Sequence, residues 1–391
     1  MKKLLRAFLI TLAILVIFTP DTAAAAETDP LTPEKLAEEL DTAGLTEQLN
    51  ALDELLAEQG AEKLLSDTWQ AVLKGEQTFS LSLLWQTLGR LVLGQLKDSA
   101  FLLKQLLILS LLAVILTILK TSFAGARVAE IGRWAVYLLL IGLAVAAFIP
   151  CLEKAEETVS MLRDMIYAVL PLLAPLLISI GGVTGAGLLD PALLFAVSLL
   201  LDVMGKLVFP LICFSAVLKL SGGMSPQVKL DKMAGLCKDV ALGVMGVMSA
   251  VFIAFLGFSG IASSTADGLA AKAVKSAAGA FIPIVGRSLA DAFDSVMGTA
   301  LLLKNGIGLI GTAAVLVICA LPSIYVLLQA LMFRIAGALV QPLGEEKLAD
   351  VLSGMGGSLT VLFAAMAVAG LFAFFAIALV VGMGNITMMM R

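Results

Sequence analysis

The sequence predicts an all-α, polytopic membrane helix bundle, and two observations carry that prediction. Its 391 residues have a mean hydropathy of +1.02, and only 14% of them are charged, whereas soluble domains carry about 25% charged residues. Several apolar runs are roughly 20 residues long, which is enough for a helix to cross a bilayer. A transmembrane β-barrel would instead show alternating segments of about ten residues.

The first element is an N-terminal export signal. The opening residues, MKKLLRAFLITLAILVIFTPDTAAAAETDP, combine a basic start, an apolar core of about twelve residues and a run of small residues. This pattern predicts a signal peptide over residues 1–26, cleaved after Ala26, and the alternative is an uncleaved first transmembrane helix. In both cases residue 27 onward begins outside the cytoplasm.

The second element, residues 27–98, is predicted to be an acidic, helical, extracytoplasmic segment. It holds fourteen acids and five bases, a net charge of −9 in a chain whose total is −4. Leu45, Leu49, Leu52 and Leu56 recur three and four residues apart, which gives one apolar helical stripe. A unit of this size has little core of its own, so we expect the stripe to pack on the membrane domain or on another protein.

The third element, residues 99–391, is predicted to be a membrane domain with six to seven spans, some of them broken or re-entrant. Residues 151–164 hold four acids and two bases and are predicted to form a loop. The count of spans depends on 165–182, a short apolar run that is either a seventh span or a re-entrant hairpin. Only the hairpin puts the basic 219–239 loop in the cytoplasm, as the positive-inside rule requires. The predicted spans are 99–119, 134–150, 165–182, 191–220, 240–262, 306–333 and 359–382.

Two groups of charged residues in this domain are candidates for function. Asp202 and Lys206 are four residues apart in an apolar run, so they can pair within the bundle, with a role in an ion path as the alternative. Charges are costly in hydrocarbon, so the polar residues near 263–304 either face water from an interfacial helix or form a functional surface. Such a surface would line a water-filled path or contact a partner. Its candidate residues are Asp267, Lys272, Arg287, Asp291, Asp294 and Lys304.

The composition argues against an enzyme. The chain has no histidine, which removes His-dependent triads, His-ligated zinc and histidine general bases. Its four cysteines lie in or beside apolar segments without CxxC spacing, and we expect them to be buried small hydrophobes. The glycine-rich stretches SIGGVTGAGLLDP and VLSGMGGSL lack the GKS or GKT of a phosphate loop. We therefore expect no catalytic residue, cofactor or metal site, and no long basic run predicts nucleic acid as a partner.

A family resemblance is most specific between residues 263 and 350. It rests on ADGLAAKAVKSAAGAFIPIVGRSLADAFDSVMGTALLLKNGIGLIG, followed by LPSIY and ALVQPLGEEKLADVL. These stretches resemble the stage III sporulation protein AE family of endospore-forming bacteria, and the order of parts fits over nearly the whole chain. The resemblance implies a multi-pass protein of the mother-cell membrane around the forespore, in an assembly that joins the two cells. It also implies partners: other membrane proteins, ring-forming secretion-like proteins, a cytoplasmic ATPase and the membrane lipid.

The predicted function is a non-enzymatic membrane component of a transenvelope channel or secretion-like complex, required for sporulation. A secondary transporter or permease is one alternative, because FIPCLEKAEETVSML (148–162) and FIPIVGRSLADAFDSVM (281–297) form a weak internal repeat. Duplicated halves with broken helices are common in transporters. A non-conducting scaffold for complex assembly is the other alternative. A transporter predicts a substrate pocket at mid-membrane near Asp202, whereas a scaffold predicts that every intramembrane charge is dispensable.

Overall fold

A computed structural model describes residues 36–37, 40–58, 65–74, 81–122, 126–180, 190–224, 230–281 and 286–389. For several helical stretches, among them 259–281 and 286–296, the description covers the main chain alone. The predicted signal peptide lies outside the described residues and stays a prediction. All regular elements of the described residues are helical, which confirms the all-α prediction.

Nine α-helices follow one another in the described part of the chain. A π-helical turn, Met204–Val208, joins α5 to α6, and a 3-10 turn, Gln341–Leu343, joins α8 to α9. Gly344 ends that second turn with a φ of 91°, a conformation that glycine adopts without steric cost. The helices are α1 (Ala43–Glu58), α2 (Leu65–Leu73), α3 (Leu81–Ser122), α4 (Ala126–Ser179), α5 (Asp190–Val203), α6 (Phe209–Met224), α7 (Asp231–Phe281), α8 (Gly286–Val340) and α9 (Glu346–Met389).

Six helical stretches of the described residues are long and apolar enough to cross a membrane, which makes the chain a multi-pass membrane protein. The predicted span 191–220 agrees closely with the structure, where it corresponds to α5, the π turn and α6. The predicted 99–119 span is part of α3, which begins at Leu81 and therefore runs across the predicted boundary between the acidic segment and the membrane domain. The six stretches are Gly94–Ile115, Trp134–Ser179, Pro191–Gly222, Asp231–Phe258, Met297–Leu343 and Glu346–Met383.

The predicted loop over residues 151–164 was wrong. α4 is one continuous helix of 54 residues, with Pro150, Pro171 and Pro175 inside it. The charged stretch CLEKAEETVSMLRD is rich in Glu, Lys, Leu, Met and Ala, which are strong helix formers, and it contains no glycine. Residues 165–179 are therefore the continuation of the same helix, neither a separate span nor a re-entrant hairpin.

Helices that pack on each other run in alternating directions. On α4 and α8, Lys154 lies over the Tyr325 ring, whereas Val169 packs against Gly311, so the two helices are antiparallel. The α3–α4, α6–α7 and α8–α9 connections consequently share one end of the bundle, which we name the turn end. Similar antiparallel contacts join further pairs of helices: Arg163–Asp202 and Tyr167–Ser198 (α4 and α5), Ser215–Ala234 (α6 and α7), and Lys304–Val381 and Gly337–Ala349 (α8 and α9).

Helix α8 forms the centre of the bundle. In the most apolar 18-residue stretch of α8, 78% of the residues are buried, against 17% in the corresponding stretch of α7. α8 packs on α3, α4 and α9. Near the turn end α8 and α9 approach closely: a Cβ added at Gly337 would lie 2.9 Å from the Ala349 carbonyl oxygen, and one at Gly356 would lie 2.8 Å from that of Ala330. Glycine permits this spacing, as in other helix pairs of membrane proteins.

The acidic helices α1 and α2 pack on the membrane domain, which was one of the two predicted alternatives. The predicted stripe on α1 is buried, from Leu45 to Leu56, and α1 and α2 contact α8. Val72 of α2 lies against Gly306 of α8. The buried Asp53 carboxylate accepts hydrogen bonds from the Leu65 N–H (3.0 Å) and the Ser66 N–H (2.8 Å) at the start of α2, where an anion satisfies free N–H groups and the helix dipole.

Candidate functional site

The helix break between α5 and α6 has a clear origin in the sequence. Pro210 has no N–H, and its ring would clash with the carbonyl four residues earlier in a regular α-helix. The chain widens into the π turn Met204–Val208 just before it, where the Phe209 N–H bonds to the Met204 carbonyl. Gly205 within this turn lowers the cost of departing from α geometry. Such π turns occur frequently at functional sites.

Asp202 lies just before the π turn and Lys206 lies within it, and the Asp202 carboxylate forms ion pairs with both Lys206 and Arg163. The Lys206 ammonium donates to Oδ2 of Asp202 at 2.8 Å, and Arg163 of α4 donates to the other carboxylate oxygen, Oδ1. The side chains of Arg163 and Asp202 are 35% and 36% exposed, whereas Lys206 is 77% exposed. The structure therefore brings the predicted pair together, and it adds Arg163 as the more enclosed partner.

Arg163 was not among the residues that the sequence analysis singled out, because it lay in the predicted 151–164 loop. A helical interpretation of that stretch would have placed Arg163 and Tyr167 four residues apart on α4. Both contact α5: the Ser198 hydroxyl donates to the Tyr167 hydroxyl at 3.0 Å. A carboxylate in an apolar run is a signal for a cation on a neighbouring helix, but the neighbour itself depends on the fold.

The same part of α4 carries a charged face. Residues 155, 158, 159 and 162 are buried, and the opposite side of this stretch is exposed. Among the described residues no ion pair involves Glu153, Glu156, Glu157 or Asp164, whereas Lys154 is taken up by its contact with the Tyr325 ring, 5.2 Å from the ring centre. We name the exposed residues Glu153, Glu156, Glu157, Ser160 and Asp164 the α4 charged face.

Lys304 does not belong to an exposed polar surface, which corrects its assignment from the sequence. Its side chain is 0% exposed, and its ammonium donates to the main-chain carbonyl of Val381 at 2.7 Å. The sequence suggested exposure because Lys304 follows a polar stretch. The opposing α9 covers it instead, and the carbonyl meets one of the three hydrogen bonds that an ammonium can donate.

The remaining five residues of the predicted polar surface lie in the stretches 259–281 and 286–296, where the description covers the main chain alone. Asp267 and Lys272 belong to the C-terminal part of α7, and Arg287, Asp291 and Asp294 belong to the first turns of α8. Their helical backbone agrees with the predicted helix, and the functional surface itself stays a prediction. In the described residues there is no group of three or more Cys, Asp or Glu side chains arranged to hold a metal ion.

Comparison with known proteins identifies the family. The family model described as stage III sporulation protein AE matches residues 64–384. The chain is also 30% identical to stage III sporulation protein AE of Bacillus subtilis (strain 168) over 370 residues, which cover 94% of this chain and 92% of that protein. The chain belongs to the stage III sporulation protein AE family. No solved structure matches this family member.

Membership confirms the resemblance predicted from residues 263–350, and it establishes a role in sporulation for this stage III sporulation protein AE family member. The family match covers α2 to α8 completely and most of α9. It therefore includes the α5–α6 break, the Asp202 cluster, the α4 charged face and buried Lys304.

Proposed function

We propose that the chain is a non-enzymatic membrane component of a multi-protein channel or secretion-like complex that joins the mother cell to the forespore. The observation that carries the proposal is the family match over residues 64–384, on a chain with six helical stretches suited to a membrane. The exposed, unneutralised α4 charged face supports membership of a larger assembly, because lipid is a poor neighbour for carboxylates.

The proposed location is the mother-cell membrane around the forespore, with α1 and α2 outside the mother-cell cytoplasm. Charge at the turn end supports this orientation. Bases outnumber acids around two of the three connections there and are outnumbered around the third. The α3–α4 connection has Lys120, Arg127 and Arg133 against Glu130, the α6–α7 connection has Lys219, Lys229, Lys232 and Lys238 against Asp231 and Asp239, and the α8–α9 connection has Arg334 and Lys347 against Glu345, Glu346 and Asp350. Bases concentrate in cytoplasmic loops, whereas the acidic α1 and α2 pack on α8 at Gly306, near its opposite end.

Membrane proteins, ring-forming proteins and a cytoplasmic ATPase are the proposed partners. An ATPase fits because the chain has no phosphate-loop motif, so ATP energy would have to come from another subunit. A secondary transporter is the second candidate, and the specific observation in its favour is the helix break beside Asp202. Broken helices with charged groups form the substrate sites of many transporters.

The experiment is deletion of the gene in the sporulating organism, with the wild-type gene restored elsewhere in the chromosome as the control. We expect engulfment to finish, later forespore gene expression to fail and the count of heat-resistant spores to fall by orders of magnitude. Normal spore counts in the deletion strain would overturn the proposal.

A second variant separates the channel component from the transporter. Asp202→Asn with Arg163→Gln and Lys206→Met removes all three charges of the cluster while keeping similar side-chain sizes. A transporter that uses Asp202 loses sporulation at normal protein abundance. A channel component keeps sporulation in this variant and co-purifies with its partners in detergent as one high-mass assembly.

A further inference from the structure

The α4 charged face lies beside the uncharged middle of α8. Val169 packs against Gly311, and Lys154 lies over the Tyr325 ring, so residues 154–169 are level with residues 311–325. From Gly306 to Phe333, α8 carries no charged residue. The charges of α4 are thus at the depth where the central helix of the bundle is most suited to hydrocarbon.

Placing the membrane on the apolar stretch 134–152 of α4 would keep the α4 charges out of the hydrocarbon, but it would enclose other charged residues. Trp134 is twenty residues before Lys154, about 30 Å along the helix, whereas α8 ends at Val340, about 22 Å beyond Tyr325. A hydrocarbon core about 30 Å thick placed on residues 134–152 would enclose Arg334, Glu345 and Glu346 of the turn end. The uncharged stretch 134–152 of α4 and the uncharged stretch 306–333 of α8 are therefore offset along the bundle, so a bilayer centred on the α8 stretch includes the α4 charged face.

The α4 charged face has a net negative charge. Within α4, Arg163 is neutralised by Asp202, and Lys154, which lies over the Tyr325 ring, keeps its charge and leaves this stretch with three more acids than bases. The four carboxylates of the face are exposed, and no ion pair in the described part of the chain involves them. A carboxylate that faces acyl chains at mid-depth is unfavourable unless a cation or water reaches it.

We propose that the α4 charged face is covered in the membrane by a helix of another protein that carries Lys or Arg at mid-depth. Charge complementarity identifies the partner's chemistry, because four carboxylates need cations opposite them. The inference rests on the proposed function only in that the assembly supplies the partner. It adds to that function the surface of contact and the chemical character of the helix that binds there.

A second copy bound through this face by two-fold symmetry is a poor occupant. Copies in one membrane with the same orientation are related by rotation about the membrane normal, so a two-fold contact through α4 places like residues opposite each other. Glu157 would then face Glu157, and Asp164 would face Asp164. Like charges at close range repel strongly where water is scarce.

Site-specific photo-cross-linking in sporulating cells tests this surface. Ser160, the neutral member of the face, is replaced by benzoylphenylalanine, and Ile253 of α7, which is 66% exposed, provides the matched control. We expect a protein adduct from position 160 and none from position 253, and we expect the cross-linked partner segment to contain Lys or Arg. An adduct of the chain with itself, no adduct, or a partner segment without a cation overturns the inference.

Charge exchange makes the test specific. Glu157→Lys with Asp164→Lys, in the chain that carries the cross-linker at 160, should reduce the adduct at least tenfold. Changing the partner's cations to Glu should restore it. If the double variant is not inserted, Glu157→Gln with Asp164→Gln provides the milder change, with a several-fold reduction expected. An unchanged adduct in an inserted variant overturns the inference.

The remaining alternative is that a water-filled path, rather than a partner helix, lies against the α4 charged face. Thiol labelling distinguishes the two. Ser160→Cys is made in a chain whose four native cysteines are alanine, with Asp67→Cys, at an exposed position of α2, as the accessible control. We expect a membrane-impermeant maleimide to modify position 67 at least tenfold faster than position 160, and equal rates overturn the inference. Spore counts of the deletion strain test the proposed function separately. If the deletion strain fails to sporulate but no adduct forms at position 160, the proposed function stands and only the partner surface on α4 is overturned.

Discussion

The Lys304 ammonium donates a hydrogen bond to the Val381 carbonyl across 2.7 Å, and thereby joins two helices at positions 77 residues apart. The lysine is fully buried, and a Cβ added at nearby Gly308 would lie 2.2 Å from Val381 Cγ2. Close packing and one long polar side chain thus hold the last third of α9 against α8.

This contact predicts the effects of two substitutions at Lys304. Lys304→Ala removes the stem as well as the hydrogen bond and should destabilise the protein by about 2–5 kcal/mol, as other large-to-small changes in a core do. Lys304→Met keeps most of the volume and removes the hydrogen bond to the Val381 carbonyl, so it should cost less than Lys304→Ala, at about 1 kcal/mol for each hydrogen bond lost. Thermal unfolding of the purified protein in detergent measures both. Equal losses would mean that the charge, rather than the packing, is what the site requires.

The Asp202 cluster predicts an order among double variants. Asp202→Ala leaves Arg163 without its carboxylate at mid-bundle, so protein abundance should fall several-fold, as a loss of about 1–2 kcal/mol commonly produces. Adding Arg163→Ala should restore more abundance than adding Lys206→Ala, because Arg163 is the more enclosed of the two cations, 35% exposed against 77%, and its side chain is less able to extend toward water. Immunoblots of the membrane fraction check this, with Lys206→Ala alone as a control that changes little. Equal rescue by both partners would contradict the order.

The glycine contact between α8 and α9 predicts a steric effect. Gly337→Ala puts a methyl group 2.9 Å from the Ala349 carbonyl oxygen, so the helices must separate, at a cost of about 1–3 kcal/mol. Gly243→Ala on α7 has nothing within 4 Å of the new methyl group and should be neutral or stabilising by up to about 1 kcal/mol. Unfolding midpoints of the two variants, measured side by side, should move in opposite directions or differ clearly. A harmless Gly337→Ala would show that α9 can shift freely.

The predicted polar surface at the start of α8 gives a functional test. Asp291→Lys with Asp294→Lys should block sporulation after engulfment while protein abundance and membrane insertion stay normal. Cysteines at Arg287 and Asp291 should react with an impermeant thiol reagent, whereas cysteines at Leu289 and Phe293 should not. A normal spore yield from the charge-reversed protein, or equal labelling of both helical faces, would reduce this segment to a solvated connector.

Local patterns in the sequence predicted the parts of the fold that depend on local chemistry. Leu45, Leu49 and Leu52 have helical spacing, and the structure buries them. Pro210 accounts for the π turn before it only in retrospect, because Pro150, Pro171 and Pro175 lie within the continuous helix α4. The continuous course of α4 was missed because charge was given more weight than the helix propensity of Glu and Lys.

Contacts between distant parts of the chain could not be predicted in the same way. The side chain of Lys304 is polar, and only the position of Val381 makes its burial acceptable. Arg163 pairs with Asp202 because α4 and α5 are antiparallel, and the direction of α4 depended on the stretch that was predicted to be a loop. Pairings of this kind arise from packing between helices, whose partners a single sequence does not specify.

The contact between Val72 and Gly306 has a consequence for the order in which the protein is made. Synthesis proceeds from the N-terminus, and Val72 precedes Gly306 by 234 residues. The Asp53 cap joins α1 to the start of α2 within a short stretch of chain, so this pair can form early. Its docking site on α8 comes into existence only after seven earlier helices have left the ribosome. During that interval Val72 lacks its partner on α8, whereas α1 can already pack on α2 and α4, so the docking of α2 forms late in synthesis, when α9 is still to be made.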